Sequence, residues 1–334
     1  MYAGSRVCPS LRAFFCVVSV IAATALVAAC PNGADDDNCH TDPPNPDLDG
    51  GLVCGQPFDL NGPNGDPGVF GVKVVEYVHV NAAGIVETDT ISTLLVIAYV
   101  DFHQATLDAD VGIQLCQIQI PKVEIPGQPL PTTFRTLPAM LPNIERVQIR
   151  AWMSGDTTCE TFESEKAVTL IGACLEDTLE DWLVTDPAKQ CSGQFTNANK
   201  ETYCDGQSDC MFDLDEDGLP GTTLEAENIP GLDVELVYGT MRSWISMEGI
   251  VANSDLILGV AHWNLEVAMA GCRLFPIGGG DLRECTPSEV GIVSQINPDL
   301  TATPGQDSTF QAVRVREDID CFELIDRELE IFGR

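Results

Sequence analysis

Apolar and polar residues alternate along several stretches of the chain, the first of them beginning at Val69. The apolar members of the first and second stretches are Val72, Val74, Val78, Val80, Val147, Ile149 and Ala151. Successive side chains of a β-strand point to opposite faces, so a period of two predicts half-buried strands. Because one face of each stretch is polar, the pattern favours antiparallel sheets rather than buried parallel ones.

The longest alternating run extends from Leu256 to Cys272. Its apolar face consists of Ile257, Gly259, Ala261, Trp263, Leu265, Val267 and Met269. A strand of this length should bend, and Gly259 and Gly271 are the expected bending points. Residues 91–102 are apolar on both faces, which indicates a central strand covered on each side. The predicted fold is mainly β: an antiparallel barrel, or a strongly bent sheet or sandwich, stapled by disulfides.

Helical periodicity is confined to two short segments. Leu175, Leu179, Trp182 and Leu183 share one side of a helix predicted over residues 175–184. A second helix is predicted over residues 318–332, with Asp318 as its N-cap. Both are expected to cover sheet faces or edges.

The N-terminal residues have the pattern of a secretory signal. Arg6 and Arg12 form a basic region without acidic residues, and an apolar run from Ala13 to Val27 follows. The sequence Val27-Ala28-Ala29-Cys30 resembles the bacterial lipobox, which implies cleavage before Cys30 and lipidation of its thiol. The resemblance predicts an extracytoplasmic protein anchored to a bacterial membrane, inner or outer, through an N-terminal lipid.

The predicted organisation follows from this start. Residues 1–29 are the signal peptide, and residues 30–68, rich in Pro, Gly, Asn and Asp, form a disordered tether. Residues 69–334 form a β-rich domain. Within it, residues 69–120 and 231–275 resemble two related β-meanders, and residues 190–228 form a cysteine-rich insert.

The chain carries 17 Lys and Arg against 51 Asp and Glu, a net charge of −34. Nucleic acids and anionic lipid headgroups would be repelled, so neither is an expected partner. Eleven of the 14 cysteines follow Cys30. In an exported protein these indicate disulfides, with local pairs Cys39–Cys54 and Cys159–Cys174 expected. The odd count leaves at least one cysteine without an intramolecular partner.

One stretch has a spacing suited to a metal ion. Calcium takes six to eight oxygen ligands, and the sequence Asp213-x-Asp215-x-Asp217-Gly218 places three carboxylates around a sharp turn. The Leu219 carbonyl occupies the next ligand position. The stretch resembles calcium loops of the thrombospondin type-3 and EF-hand kinds, although Leu224 stands where an EF-hand has glutamate. The resemblance implies a structural calcium ion in a loop bracketed by Cys204 and Cys210.

Catalytic motifs are not evident in the sequence. The four histidines form no His-Glu-x-x-His pattern, and neither a nucleophile elbow nor a phosphate-binding glycine loop occurs. We therefore expect a non-catalytic surface, adhesion or ligand-binding protein, its protein, glycan or apolar ligand unknown. Two alternatives stay open: a periplasmic carrier with an apolar cavity between the 91–102 strand and Trp263, Leu265 and Val267, and an anchored glycosidase-like hydrolase.

Overall fold

A computed structural model of the chain describes residues 52–82, 86–276, 280–297 and 299–333. The predicted signal peptide and the lipidation site Cys30 lie outside these residues, as does Cys39. No helix within the described ranges is long and apolar enough to cross a membrane.

The described residues form fifteen strands, three α-helices and two short 3-10 turns. The strands are β1 Gly68–Ala82, β2 Val86–His103, β3 Asp108–Ile118, β4 Thr133–Thr136, β5 Val147–Met153, β6 Thr161–Ser164, β7 Ala167–Ile171, β8 Ala173–Cys174, β9 Cys210–Met211, β10 Thr222–Glu227, β11 Val234–Asn253, β12 Leu256–Leu274, β13 Arg283–Glu284, β14 Asp299–Ala302 and β15 Ser308–Arg314. The helices are α1 Pro287–Ile296, α2 Cys321–Asp326 and α3 Glu328–Phe332, and the 3-10 turns are Pro63–Gly65 and Pro138–Asn143.

Eight of the strands close into an antiparallel barrel. The hydrogen-bonded ring runs β1, β2, β3, β5, β6, β11, β12, β15 and returns to β1. A closed ring leaves no exposed edge along its paired positions. The predicted mainly β, antiparallel and disulfide-stapled fold is confirmed.

The strand registers place one set of side chains inside the barrel. Val74 lies opposite Phe310 on one side and Leu94 on the other, so these three side chains point to the same face. Every second residue of β1, β2 and β15 in this register points into the barrel. The interior is apolar except for a few groups, among them Glu76 and Ser92. Eight strands enclose a space that side chains can fill.

The long strands bend where their register shifts. Between β11 and β12 one shift falls between Tyr238 and Gly239, opposite Gly271 and Met269. The expected bend at Gly271 is therefore present. Gly259 instead lies in a regular pair with Gly249, where an added Cβ would come within 2.5 Å of the Gly249 Cα. Its role is close backbone approach rather than bending.

The folded part of the chain begins before Val69. Phe58 and Leu60 are buried, and Gly55 and Gln56 exchange backbone hydrogen bonds with Thr158. The prediction of a tether extending to residue 68 is wrong over residues 52–68. The composition of this segment suggests disorder. A few apolar residues are nevertheless enough to order it, because they pack on the barrel and the Cys54–Cys159 disulfide holds the segment in place.

The helix prediction is correct at the C-terminus and wrong at residues 175–184. The C-terminal segment forms α2 and α3, with Asp320 rather than Asp318 as the N-cap. Residues 175–184 instead form bends and turns. The buried Arg242 side chain donates hydrogen bonds to the carbonyls of Thr178 and Asp181, which holds this segment in its non-helical course. The unpredicted helix α1 begins at a capping box formed by Thr286 and Glu289.

The two segments predicted as related meanders both contain a long hairpin. The first is β1–β2 and the second is β11–β12. The strand β3 extends the first hairpin, whereas β12 leads to the two-residue strand β13 and then to α1.

The five disulfides among the described residues span from 13 to 205 positions of sequence. The pairs are Cys54–Cys159, Cys116–Cys321, Cys174–Cys204, Cys191–Cys210 and Cys272–Cys285. The predicted local pairs Cys39–Cys54 and Cys159–Cys174 are wrong, because the fold places Cys54 beside Cys159 and Cys174 beside Cys204. The remaining cysteine after Cys30 is Cys39, outside the described residues.

Candidate metal centre

The predicted calcium loop connects β9, which pairs with β8, to β10, which pairs with the barrel strand β11. Its two ends are tied together, since Leu214 donates to the Gly221 carbonyl and Gly221 donates to that of Phe212. The buried Asn143 amide donates to the Leu214 carbonyl at 2.7 Å. These bonds fix both ends of the loop and so set where its carboxylates lie.

Glycines allow the loop to dock on the barrel. Gly221 has a φ of +95°, and an added Cβ would come within 2.0 Å of the Gly239 carbonyl oxygen in β11. A Cβ at Gly172 would likewise come within 2.6 Å of Gly221. Three backbone segments meet here at distances that only glycine permits.

The three predicted aspartates converge. One carboxylate oxygen from each of Asp213, Asp215 and Asp217 lies within 4.8 Å of the other two. Two oxygens bound to one calcium ion at about 2.4 Å lie at most about 4.8 Å apart. The separations therefore fit ligation of a single calcium ion.

Backbone donors orient two of these carboxylates. Asp213 accepts from the N–H groups of Asp217 and Gly218, at 3.2 and 2.8 Å. Asp217 accepts from the Leu219 N–H and from the Thr223 hydroxyl. Each carboxylate oxygen retains a further lone pair that can bind a cation.

Asp215 differs from its neighbours in burial. Its side chain is 8% exposed, its Oδ2 accepts from the Thr223 N–H at 2.9 Å, and its Oδ1 has no hydrogen-bond partner. Burial raises the pKa of Asp215 to about 7, and the charges of Asp217 and Asp213 contribute in the same direction. A buried carboxylate oxygen without a donor is costly unless a cation neutralises it.

The remaining predicted residues lie in the same loop. Gly218 has a φ of +87°, as the sharp turn requires. The side chain of Leu219 is buried against Met211 and Tyr238, which holds the turn against the barrel. Carbonyl ligation by Leu219 stays a prediction.

The cysteines beside the loop act through disulfides. Cys204 bonds to Cys174, while Cys210 bonds to Cys191. The sulfur atoms of Cys174, Cys191 and Cys210 lie close together. Since all three are disulfide-bonded, they offer no thiolate for a metal ion.

Sequence reasoning missed the residues that support the aspartates. Thr223 contacts both Asp215 and Asp217, and Asn143 reaches the loop from 71 positions earlier in the chain. The spacing of aspartates identified the ligands, but nothing in the sequence marked these two polar residues. Long-range contacts of this kind require the fold.

The histidines offer no nucleophile–base pair within the described ranges. His79 contacts Asp89 and Glu87, while His262 contacts Glu248. His103 contacts Asp108 at 3.2 Å. His40 lies outside the described residues.

The barrel interior bears on the carrier alternative. Trp263 points inward and is buried, and its indole N–H donates to the Ser308 hydroxyl at 2.8 Å. The rings of Phe162 and Phe310, from strands that are not neighbours, have centroids 6.2 Å apart. These side chains occupy the barrel interior beside Trp263, the region in which the carrier alternative requires an apolar cavity.

No family model matches the chain, and no curated protein and no solved structure matches it either. The candidate metal centre therefore rests on the residues and geometry above.

Proposed function

We propose that the chain is a lipid-anchored extracytoplasmic binding protein whose disulfide-stapled barrel carries one structural calcium ion. The observation that carries the calcium site is the buried, unpartnered Asp215 Oδ1 beside the carboxylates of Asp213 and Asp217. The ion would neutralise three clustered charges and fix the loop between Phe212 and Gly221.

Two features support an extracytoplasmic location. Disulfides persist in oxidising compartments, and five of them join the described residues. The lipobox-like Val27-Ala28-Ala29-Cys30 supplies the proposed anchor. A surface or ligand-binding role without catalysis is the function that these features favour.

Thermal unfolding of the purified full-length protein tests the calcium site. At a calcium concentration about 100 times the dissociation constant, binding adds about 2.7 kcal/mol of stability, which raises the melting temperature by several degrees. Loops of extracellular modules bind with dissociation constants of about 10⁻⁴ to 10⁻³ M, so the titration should extend to tens of millimolar. An Asp215→Asn variant should lose this rise.

Glu216→Asn is the matched control. It removes one acidic charge from the same loop at a position outside the convergent cluster, and asparagine tolerates the positive φ of +58° found there. This variant should keep the calcium-dependent rise. An equal rise in wild type and Asp215→Asn would refute the proposed site.

Replacing Cys30 by serine tests the anchor. Serine has no thiol to lipidate, so we expect the variant to lose lipid attachment and to leave the membrane fraction of expressing bacteria. Radiolabelled fatty acid incorporation and membrane fractionation provide the measurement, with Cys8→Ser as the control. Labelling that persists in the Cys30→Ser protein would contradict lipidation at this residue.

A further inference from the structure

A surface cleft of about 890 Å³ lies beside the β1–β2 hairpin. Its walls include residues 87–91 of β2, the chain from 117 to 122, and all four residues of β4. A cavity against one face of a strand would contact every second residue. Because consecutive residues line this cleft, it lies along the edges of both strands.

The edge of β2 carries unpaired backbone groups. Over residues 94–100, β2 pairs with β1 on one side and β3 on the other, but over residues 86–92 only β1 pairs with it among the described strands. The Thr93 carbonyl accepts from the Gln119 N–H on the β3 side. Successive residues of a strand direct their backbone N–H and C=O groups to opposite sides. The groups of Glu87, Asp89 and Ile91 therefore point to the same side as the Thr93 carbonyl, into the cleft.

The facing edge of β4 is open in the same way. Its only strand partner in the described chain is β10, and Thr132 exchanges both backbone hydrogen bonds with Val123 on the opposite side. By alternation, the backbone groups of Phe134 and Thr136 point away from β10. Pro121, two residues before Val123, has no N–H with which to continue that ladder.

The side chains along the β2 edge define a charge pattern. Glu87 and Asp89 are 74% and 58% exposed, and both contact His79. Ile91 lies on the same face and is 58% exposed. Directly opposed residues of neighbouring strands share a face, and opposite charges there are favourable. An antiparallel partner would therefore place an apolar residue opposite Ile91, then basic residues opposite Asp89 and Glu87.

We propose that this cleft binds an extended basic peptide by β-augmentation. The peptide would pair its backbone with the free edge of β2, with β4 forming the facing wall, and carry the face pattern apolar-x-basic-x-basic from its N-terminus. Backbone hydrogen bonds supply affinity, and Glu87 and Asp89 supply the preference for lysine or arginine. The site adds a partner class to the proposed surface role and does not depend on the calcium ion.

A second copy of the chain is the less suitable occupant. Pairing two β2 edges would bring Glu87 and Asp89 of one copy beside the same acids of the other, and like charges on opposed residues are destabilising. Each copy also carries a charge of −34, which repels association. A basic peptide avoids both costs.

Fluorescence anisotropy with a defined probe tests the proposal. The probe is fluorescein-labelled Thr-Val-Thr-Lys-Thr-Lys-Thr amide, titrated with the purified full-length protein in calcium and in chelator. We expect saturable binding in both conditions and slowed amide hydrogen exchange at Glu87, Asp89 and Ile91. Binding in both conditions with no calcium effect on stability would overturn the calcium site alone.

Variants separate backbone pairing from simple charge attraction. Ile91→Pro removes an N–H that β1 does not use, and losing one hydrogen bond should weaken probe binding about tenfold. Ile91→Val keeps the N–H and should bind as wild type. An N-methylated probe should also bind about tenfold less tightly, which tests the pairing without altering the protein.

Charge reversal provides the second test. Glu87→Lys with Asp89→Lys should lose the lysine probe and bind a probe in which glutamate replaces both lysines. Absence of probe binding to wild type would overturn the proposal. So would wild-type affinity of Ile91→Pro for the probe together with undiminished wild-type affinity for the N-methylated probe. A concentration-dependent dimer that Ile91→Pro abolishes would show that a second copy of the chain occupies the edge instead.

Discussion

Replacing Cys116 and Cys321 together by alanine is expected to lower the free energy of unfolding by about 2 to 5 kcal/mol. This disulfide spans 205 positions and ties β3 to α2. Without it, the unfolded chain gains conformational freedom, and α2 loses its covalent hold on the barrel. Leu324 of α2 is fully buried and packs beside Gly71 of β1. Chemical denaturation without reductant measures the change.

The Cys272–Cys285 pair is the matched comparison. It spans only 13 positions, so the loop-entropy account predicts a loss about 2 kcal/mol smaller on its double replacement by alanine. Equal losses in the two variants would contradict an entropic origin of the stabilisation. A larger loss for the shorter loop would contradict it more strongly.

Replacing Glu76 by glutamine is expected to stabilise the protein above neutral pH. Glu76 points into the barrel beside Ser92, and burial raises its pKa from 4.5 to about 7. The folded state therefore holds a proton that the unfolded chain releases near pH 4.5. Its favourable contribution is complete below pH 4.5 and is lost as pH rises through about 7. The difference amounts to about 3 kcal/mol.

Denaturation at pH 5 and pH 8 measures this effect. Glutamine stays neutral, so Glu76→Gln should exceed wild type by up to about 3 kcal/mol at pH 8 and by little at pH 5. Glu87 has an exposed side chain on the neighbouring strand β2, so Glu87→Gln is the control and should change the free energy of unfolding by about 0.5 kcal/mol or less. A pH-independent difference between Glu76→Gln and wild type would show that Glu76 does not titrate over this range.

Much of the barrel could be predicted from alternation alone. The period of two at Val72, Val74 and Val78 predicts that this segment is a strand and that these side chains face the core, because burial of one strand face imposes that period. Ring closure could not be predicted. It depends on β15 pairing with both β12 and β1, and the β1–β15 pairing joins residues more than 200 positions apart, which leaves no local signal in the sequence.

The errors share a physical cause. The 175–184 segment has helical spacing, yet Arg242, which is about 60 positions away, donates hydrogen bonds to two of its carbonyls and the segment forms turns. Cys54 has a near neighbour in sequence, yet the barrel places it beside Cys159. In both cases tertiary contacts override local preference.

The candidate metal centre was partly predictable. The positions of Asp213, Asp215 and Asp217 follow from motif spacing, because a sharp turn at Gly218 directs alternate side chains inward. The burial of Asp215 does not follow from spacing. It arises from docking of the loop on β11 through Gly221 and Gly239, which only the fold establishes.

Calorimetric titration of the full-length protein with calcium tests the central claim most directly. We predict saturable heat with a stoichiometry of one in wild type and in Glu216→Asn, and its loss in Asp215→Asn. Identical heats in all three proteins, or no saturable heat in wild type up to tens of millimolar calcium, would contradict a calcium ion bound by Asp213, Asp215 and Asp217.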